Sequence, residues 1–196
     1  PREVTISTGI DAMSHAIESL VSLNSTPYTR LFGLEALKLI WKYLPICLEN
    51  PTDINARGQM QLASYMGGIA INAGIGLAHI IAQPLGGMIG IPHGIACAIF
   101  LPHSMEYNID FAIPAYCEIA RVLGSSGDDS KQLAMESKDK VSAFLKSIGA
   151  PNTIRDYLPQ HGFNVGDAVS LISAATGHIK CNPRPVNEEI IRHTLL

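Results

Sequence analysis

The sequence is short of charge, of aromatic side chains and of paired cysteines. Charged residues make up 16% of the 196 positions, and the net charge is −3, whereas ordinary soluble domains contain about 25% charged residues. The chain has 47% hydrophobic residues and a mean hydropathy of +0.20, which excludes intrinsic disorder. No basic cluster is present and only 6% of the residues are aromatic. A nucleic-acid interface built on phosphate contacts or base stacking is therefore excluded.

The cysteine pattern indicates the redox state of the cellular compartment. Cys47, Cys97, Cys117 and Cys181 include no C-x-x-C pair, so they form neither a disulfide framework nor a zinc ribbon. This usage favours a reducing, cytoplasmic location. No basic segment followed by an apolar stretch marks a signal peptide. The first residue is proline rather than methionine, and we expect the chain to be a piece of a longer protein.

A long stretch from Gly58 to Met105 contains no Asp, Glu, Lys or Arg. A pair of membrane spans is one interpretation of such a stretch. Against it, Asn72, His79 and Pro92 are among the polar residues and prolines that interrupt every apolar block before it reaches about 20 residues. Aromatic belts and basic flanks are also missing. We therefore predict the buried centre of a globular protein and no membrane insertion.

The spacing of apolar residues is helical, and long period-2 alternation is absent. The pattern predicts an all-α protein with eight or nine helices in a single domain, residues 1–196. Ser7 or Thr8 is predicted to cap the first helix, Thr26-Pro27 to begin the second, and Asp53 to cap a third at about 54–71. Further helices are predicted around residue 79 and at 94–107, 114–123, 128–148, 166–175 and 187–195, with a Gly/Pro turn at 86–93 and a hinge loop at 125–129.

Four side chains are candidates for a metal site. Asp11 and His15 are four positions apart on a predicted helix, so they share one face. His79 lies on a predicted helix and His93 in the predicted turn. Buried imidazoles are costly unless they are paired or bound. One carboxylate and three imidazoles suit Fe²⁺ or Zn²⁺. The alternative is that each histidine is an ordinary core or loop residue.

Other polar motifs carry less information. Glu18 follows His15 without completing an H-E-x-x-H motif, and it either supports a ligand from behind or is solvated. The Gly86-Gly87-x-x-Gly90 segment follows a predicted helix rather than a strand, so it is not a dinucleotide-binding fingerprint. The remaining histidines are predicted to be surface or structural residues: His103, His161, His178 and His193.

Several segments together resemble one known family. Residues 8–18 (TGIDAMSHAIE) are similar to the T-G-x-D-A-x-x-H-A-x-E segment of the iron-containing (group III) alcohol dehydrogenases. Other matching segments follow in the same order: 72–79 (NAGIGLAH), 84–87 (PLGG), 92–94 (PHG), 101–108 (LPHSMEYN) and 182–184 (NPR). The fourteen-position interval from His79 to His93 also matches. The resemblance spans nearly the whole chain.

The resemblance implies a fold, an activity and partners. It implies the helical C-terminal domain of the family, similar to that of dehydroquinate synthase, with Asp11, His15, His79 and His93 as ligands of Fe²⁺ or Zn²⁺. The metal would act as a Lewis acid on the alcohol oxygen during hydride transfer with NAD or NADP. The expected substrate is a small alcohol or aldehyde, and a homo-oligomer is expected. Alternatives are a reductase similar to maleylacetate reductase and a non-catalytic all-α remnant.

Two departures from the family pattern matter. The family's N-terminal nucleotide-binding domain has no counterpart in this sequence, so we expect little or no turnover from this chain alone. Many members also carry a histidine four residues after the third ligand, where this chain has Gln83. Glutamine can hydrogen-bond a substrate hydroxyl but cannot take up a proton near neutral pH. Gly86 and Gly87 would allow the backbone to approach the cofactor closely.

Overall fold

The fold is helical throughout the part of the chain that the structure describes. A computed structural model describes residues 1–159, 163–175 and 180–195. Over these ranges it contains nine α-helices and no β-strand, which confirms the predicted fold class. The helices are α1 (Arg2–Val21), α2 (Pro27–Glu49), α3 (Ile54–Ala70), α4 (Leu77–Ile89), α5 (His93–Asn108), α6 (Ile113–Val122), α7 (Ser130–Ser147), α8 (Val165–Ala175) and α9 (Glu188–Leu195).

Helix α1 is the centre of the packing. It contacts α2, α3 and α5, while α4 packs on α5 and α8, and α6 packs on α7. Ile10, Met13 and Ile17 of α1 are all at most 1% exposed. Because this helix is enclosed on several sides, the polar side chains that it carries are held in the interior of the molecule.

Local sequence signals explain where several helices begin. The Thr26 side chain accepts a hydrogen bond from the Thr29 N–H, and Pro27 occupies the first helical position. The Asp53 carboxylate accepts from the Ala56 N–H at the start of α3. Such caps satisfy backbone donors that the helix itself leaves unpaired. Both predicted starts are therefore confirmed.

The predicted start of α1 is wrong. The helix begins at Arg2 rather than after Ser7 or Thr8. The Thr8 hydroxyl donates to the Val4 carbonyl at 2.9 Å, four residues earlier in the same helix. A threonine inside a helix can bond backward in this way instead of capping, so a residue typical of a helix start lies in the middle of the first helix.

The predicted turn at 86–93 is also shorter than expected. Helix α4 continues through Gly86 and Gly87 to Ile89, so both glycines are helical. The turn is confined to residues 90–92, where Gly90 ends α4 with a left-handed conformation at φ 69°. That conformation suits glycine, which has no Cβ to clash. His93, expected in the turn, is instead the first residue of α5.

A close approach of two helices brings the N-terminus of α5 against α1. A Cβ atom built on Gly94 would collide with the backbone carbonyl of Ser7. Only glycine allows the two backbones to pass at this separation. This contact sets His93 beside the middle of α1, where Asp11 lies.

The uncharged stretch forms α3, α4 and most of α5. Within the described ranges, no single helix is long and apolar enough to cross a membrane. The segments Ile54–Ala73 and Leu77–Ile89, which are bent by 106° relative to each other, are together long and apolar enough, by length and composition only.

Candidate metal centre

Three helices bring polar side chains to one point. Helix α1 contributes Asp11, His15 and Glu18, which share a face because they are four and three residues apart. His79 lies in the first turn of α4, and His93 is the first residue of α5. The site is therefore the place where the middle of α1 meets the N-termini of two other helices.

The Asp11 carboxylate lies at the centre of this cluster, close to all three histidines. Its Oδ1 atom lies 3.3 Å from His93 Nε2, 3.4 Å from His79 Nε2 and 3.7 Å from His15 Nε2. The rings of His15 and His79 stack with their centroids 4.7 Å apart. The structure thus brings together all four residues that the sequence proposed as ligands.

Glu18 supports His79 from behind. Its side chain is 2% exposed, and its Oε2 atom lies 2.6 Å from His79 Nδ1. The same carboxylate accepts the Gly76 N–H at 2.9 Å and the Ala78 N–H at 2.7 Å, which are orphan donors at the start of α4. An anion at this end of a helix is also favoured by the helix dipole. Of the two roles considered for Glu18, the solvated one is wrong.

The other nitrogen of His79 has no hydrogen-bond partner. Because Nδ1 donates to Glu18, Nε2 is the atom that presents a lone pair whenever the ring is neutral. That atom is buried and makes no hydrogen bond to any described residue, although it faces the Asp11 carboxylate at 3.4 Å. A proton on Nε2 would satisfy both atoms in the metal-free chain, and a metal cation between them would do the same when bound. The donor set therefore fits a bound metal.

The electrostatics of the cluster favour positive charge. Burial opposes a charged Asp11, but His79 and His93 outweigh it and hold the carboxyl pKa well below its usual range. Burial likewise opposes a charged His79, yet Glu18 and Asp11 raise its pKa to about 12. Hydrogen bonds to Asp11 and Cys97 raise the pKa of His93 to about 10. For His15, burial lowers the pKa.

Burial is uneven across the cluster. The side chains of His79 and Glu18 are 3% and 2% exposed, so they form its floor. The His93 side chain is 41% exposed and the Asp11 side chain 29% exposed. The cluster therefore opens to solvent on the side of α5, where a small molecule could enter.

Cys97 is a member of the cluster that sequence reasoning missed. Its Sγ lies 3.7 Å from His93 Nε2 and 3.9 Å from Asp11 Oδ1. Among the described residues, one potential ligand atom each from Asp11, His79, His93 and Cys97 lie within 4.8 Å of one another. The sequence feature that could have identified Cys97 is its position four residues after His93. This spacing is informative only if His93 is helical.

The other predicted site residues lie outside this tight group. Gln83 is one turn beyond His79 on α4 and is exposed, and Gly86 and Gly87 lie in the last turns of the same helix. Among the described residues, no atom lies within 4 Å of a Cβ built on Gly87, and a Cβ on Gly86 would meet only the Ile91 carbonyl at 3.5 Å. This end of α4 therefore leaves open space for another molecule or domain.

Two of the remaining four histidines lie within the described residues, and neither belongs to the cluster. His103 and His193 are exposed, as expected for surface residues. His161 and His178 lie outside the described residues.

Comparison with known proteins decides the family. The family model for the C-terminal domain of the Fe-containing alcohol dehydrogenases matches residues 5–196. The chain belongs to this family. Among the relatives of this Fe-containing alcohol dehydrogenase domain is the NAD-dependent methanol dehydrogenase of Bacillus methanolicus. It is 38% identical over 155 residues, which cover 78% of this chain and 41% of the relative.

A second relative covers nearly the whole domain. The 1,3-propanediol dehydrogenase of Citrobacter freundii is 33% identical over 199 residues, covering 97% of this chain and 50% of the relative. A crystal structure of a 1,3-propanediol oxidoreductase superposes with a TM-score of 0.92 at 30% identity, covering 100% of this chain and 51% of that one. The Fe-containing alcohol dehydrogenase domain thus spans about half the length of the relatives that it matches.

Proposed function

We propose that residues 1–196 form the metal-binding domain of an NAD(P)-dependent alcohol dehydrogenase or aldehyde reductase. Asp11, His15, His79 and His93 are its metal ligands in this proposal. The observation that carries it is the buried Nε2 of His79, which faces a carboxylate and has no hydrogen-bond partner in the part of the chain that the structure describes. A divalent cation would satisfy this atom and the surrounding donors at once.

The residues of the site have separate tasks in this proposal. Asp11 supplies the negative charge that balances a divalent cation, and Glu18 keeps His79 in the tautomer that offers Nε2. The metal, Fe²⁺ or Zn²⁺, supplies Lewis acidity that lowers the pKa of a nearby alcohol hydroxyl. The exposed side of His93 provides the entrance for a small alcohol or aldehyde.

The far end of α4 faces the reaction partners in this proposal. Gln83 lies on the same side of the helix as His79 and would hydrogen-bond the substrate hydroxyl without exchanging a proton. Gly86 and Gly87 leave room for the nicotinamide cofactor, NAD or NADP, which accepts or donates the hydride. The relatives include a methanol dehydrogenase and a 1,3-propanediol dehydrogenase, which supports small alcohols as the substrate class.

The proposal extends to the whole protein. The relatives are about twice as long as this chain, and we propose that a nucleotide-binding domain supplies the cofactor site that this domain lacks. The domain alone then binds metal and turns over little or no substrate. Assembly as a homo-oligomer and a cytoplasmic location stay predictions.

A thermal melting titration under anaerobic conditions tests the metal site. Fe²⁺ or Zn²⁺ at about 100 times its Kd should stabilise the wild-type chain by about 2.7 kcal/mol. His79→Ala should abolish this increment, each variant being compared with its own metal-free form. His103→Ala, which removes an exposed histidine outside the cluster, is the matched control and should keep it. An equal increment in His79→Ala and wild type would refute the ligand assignment.

A further inference from the structure

Cys97 lies where a metal ligand would lie, although its residue type was not part of the proposed ligand set. The side chain is 0% exposed. Its Sγ faces the imidazole of His93 at 3.7 Å and the carboxylate of Asp11 at 3.9 Å. Because His93 and Cys97 are four residues apart on α5, they are neighbours on one helix face. The sulfur therefore belongs to the floor of the cluster rather than to the hydrophobic core alone.

Two other buried cysteines provide a contrast. The Cys117 thiol donates to the Ser130 carbonyl at 3.1 Å, and the Cys181 thiol donates to the Ile75 carbonyl at 3.1 Å. These are ordinary contacts of buried thiols with the backbone. Cys97 instead faces a histidine nitrogen and a carboxylate oxygen, which are both atoms that bind metals in proteins.

A second observation points to a cation at the same place. The His79 ring is 3% exposed, and its Nε2 atom faces the cluster without a hydrogen-bond partner from any described residue. The ligand atoms of Asp11, His79, His93 and Cys97 all lie within 4.8 Å of one another. One oxygen, two nitrogens and one sulfur surround a common point from three helices, which is a donor set that zinc accepts.

We propose that the Cys97 sulfur binds the metal of this centre as a thiolate, in addition to Asp11, His15, His79 and His93. The inference rests on the proposed function, since it deepens the same site. On binding, the metal–sulfur bond replaces the S–H bond, and the proton passes to the solvent. The metal is neither oxidised nor reduced in this step.

A sulfur ligand changes which metal the centre prefers. Thiolate is a soft donor, which favours zinc over harder ions such as Mn²⁺. Cys97 lies on the buried side of the cluster, whereas His93 is 41% exposed. The sulfur would therefore occupy the closed side and leave the open side to the substrate.

Cobalt substitution tests the proposal directly. The full 196-residue chain is loaded anaerobically with Co²⁺, and its absorption is recorded in the visible and near-ultraviolet ranges. Visible ligand-field bands report binding, and a near-ultraviolet charge-transfer band reports a cobalt–thiolate bond. We expect both in the wild type, and we expect Cys97→Ala and Cys97→Ser to lose only the charge-transfer band. The matched control is Cys117→Ala, which removes another buried thiol and should retain it.

The outcomes separate this inference from the proposed function. Ligand-field bands without a charge-transfer band in the wild type would overturn the role of Cys97 and leave the metal site standing. A charge-transfer band that persists in Cys97→Ala would also overturn it. Failure of the wild type to bind Co²⁺ would overturn both proposals.

A second measurement does not depend on spectra. The ratio of Zn²⁺ affinity to Mn²⁺ affinity should fall in Cys97→Ser, because a hydroxyl replaces the soft donor with a harder one. Cys117→Ala should leave this ratio unchanged. An unchanged ratio in Cys97→Ser would contradict sulfur ligation.

Discussion

Replacing Glu18 with glutamine (Glu18→Gln) should destabilise the fold and weaken metal binding together. The Glu18 Oε2 atom accepts hydrogen bonds from His79 Nδ1 and the Gly76 N–H, and the Oε1 atom accepts one from the Ala78 N–H. If the glutamine oxygen takes the place of Oε2, its NH₂ group faces the Ala78 N–H, and that donor loses its acceptor. In the other orientation two donors lose theirs.

The size of the effect follows from burial. The Glu18 side chain is 2% exposed, so water cannot replace the missing acceptor. A buried donor left unpaired costs about 1–3 kcal/mol, and we expect the free energy of unfolding to fall by at least this order. Because the same substitution loosens the orientation of His79, the affinity for Zn²⁺ should fall by roughly 10–100-fold.

Urea denaturation of the metal-free chain measures the first effect, and calorimetric titration with Zn²⁺ measures the second. Glu106→Gln is the matched control, since Glu106 is exposed on α5. It should change stability by no more than about 0.5 kcal/mol. If Glu18→Gln matched the wild type in both measurements, the argument that a buried carboxylate orients His79 would be refuted. A loss of stability without a loss of Zn²⁺ affinity would mean that Glu18 caps the start of α4 but does not orient His79.

Three further substitutions test how the helices are placed, each by urea denaturation. Gly94→Ala should destabilise the chain by more than about 1 kcal/mol, because its Cβ would collide with the Ser7 carbonyl; wild-type stability would contradict that close contact. Gly68→Ala on α3, where no atom lies within 4 Å of the added Cβ, should instead stabilise by about 0.5–1 kcal/mol. Asp53→Ala removes the cap on the Ala56 N–H and should cost about 0.5–2 kcal/mol; no loss would mean that the cap is not needed.

Much of the helical pattern could be predicted from the sequence, because its signals act over a single turn. Thr26 and Asp53 do cap α2 and α3. The same local rules misplaced the start of α1, since a threonine hydroxyl can also bond backward within a helix. The same rules predicted too long a turn before α5. Gly86 and Gly87 are instead helical, since packing holds the last turns of α4 together.

The sequence also identified Asp11, His15, His79 and His93 as one group, first from their chemistry and then from a family resemblance. The structure brings them together, and their role as ligands stays a prediction. Cys97 was missed because His93 was placed in the turn before the helix predicted at 94–107, whereas both residues lie on α5. The role of Glu18 remained open because burial cannot be read from its spacing alone.

By itself, the sequence determined the helical fold class, several helix starts and the shared face of Asp11 and His15. These features depend on backbone hydrogen bonds and on spacing within a few residues. The burial of Glu18 against the start of α4 and the contact of Cys97 with Asp11 depend instead on how distant helices pack. Those contacts join residues 60 and 86 positions apart. They exist because close packing, including the approach of Gly94 to Ser7, sets helices that are distant in sequence side by side.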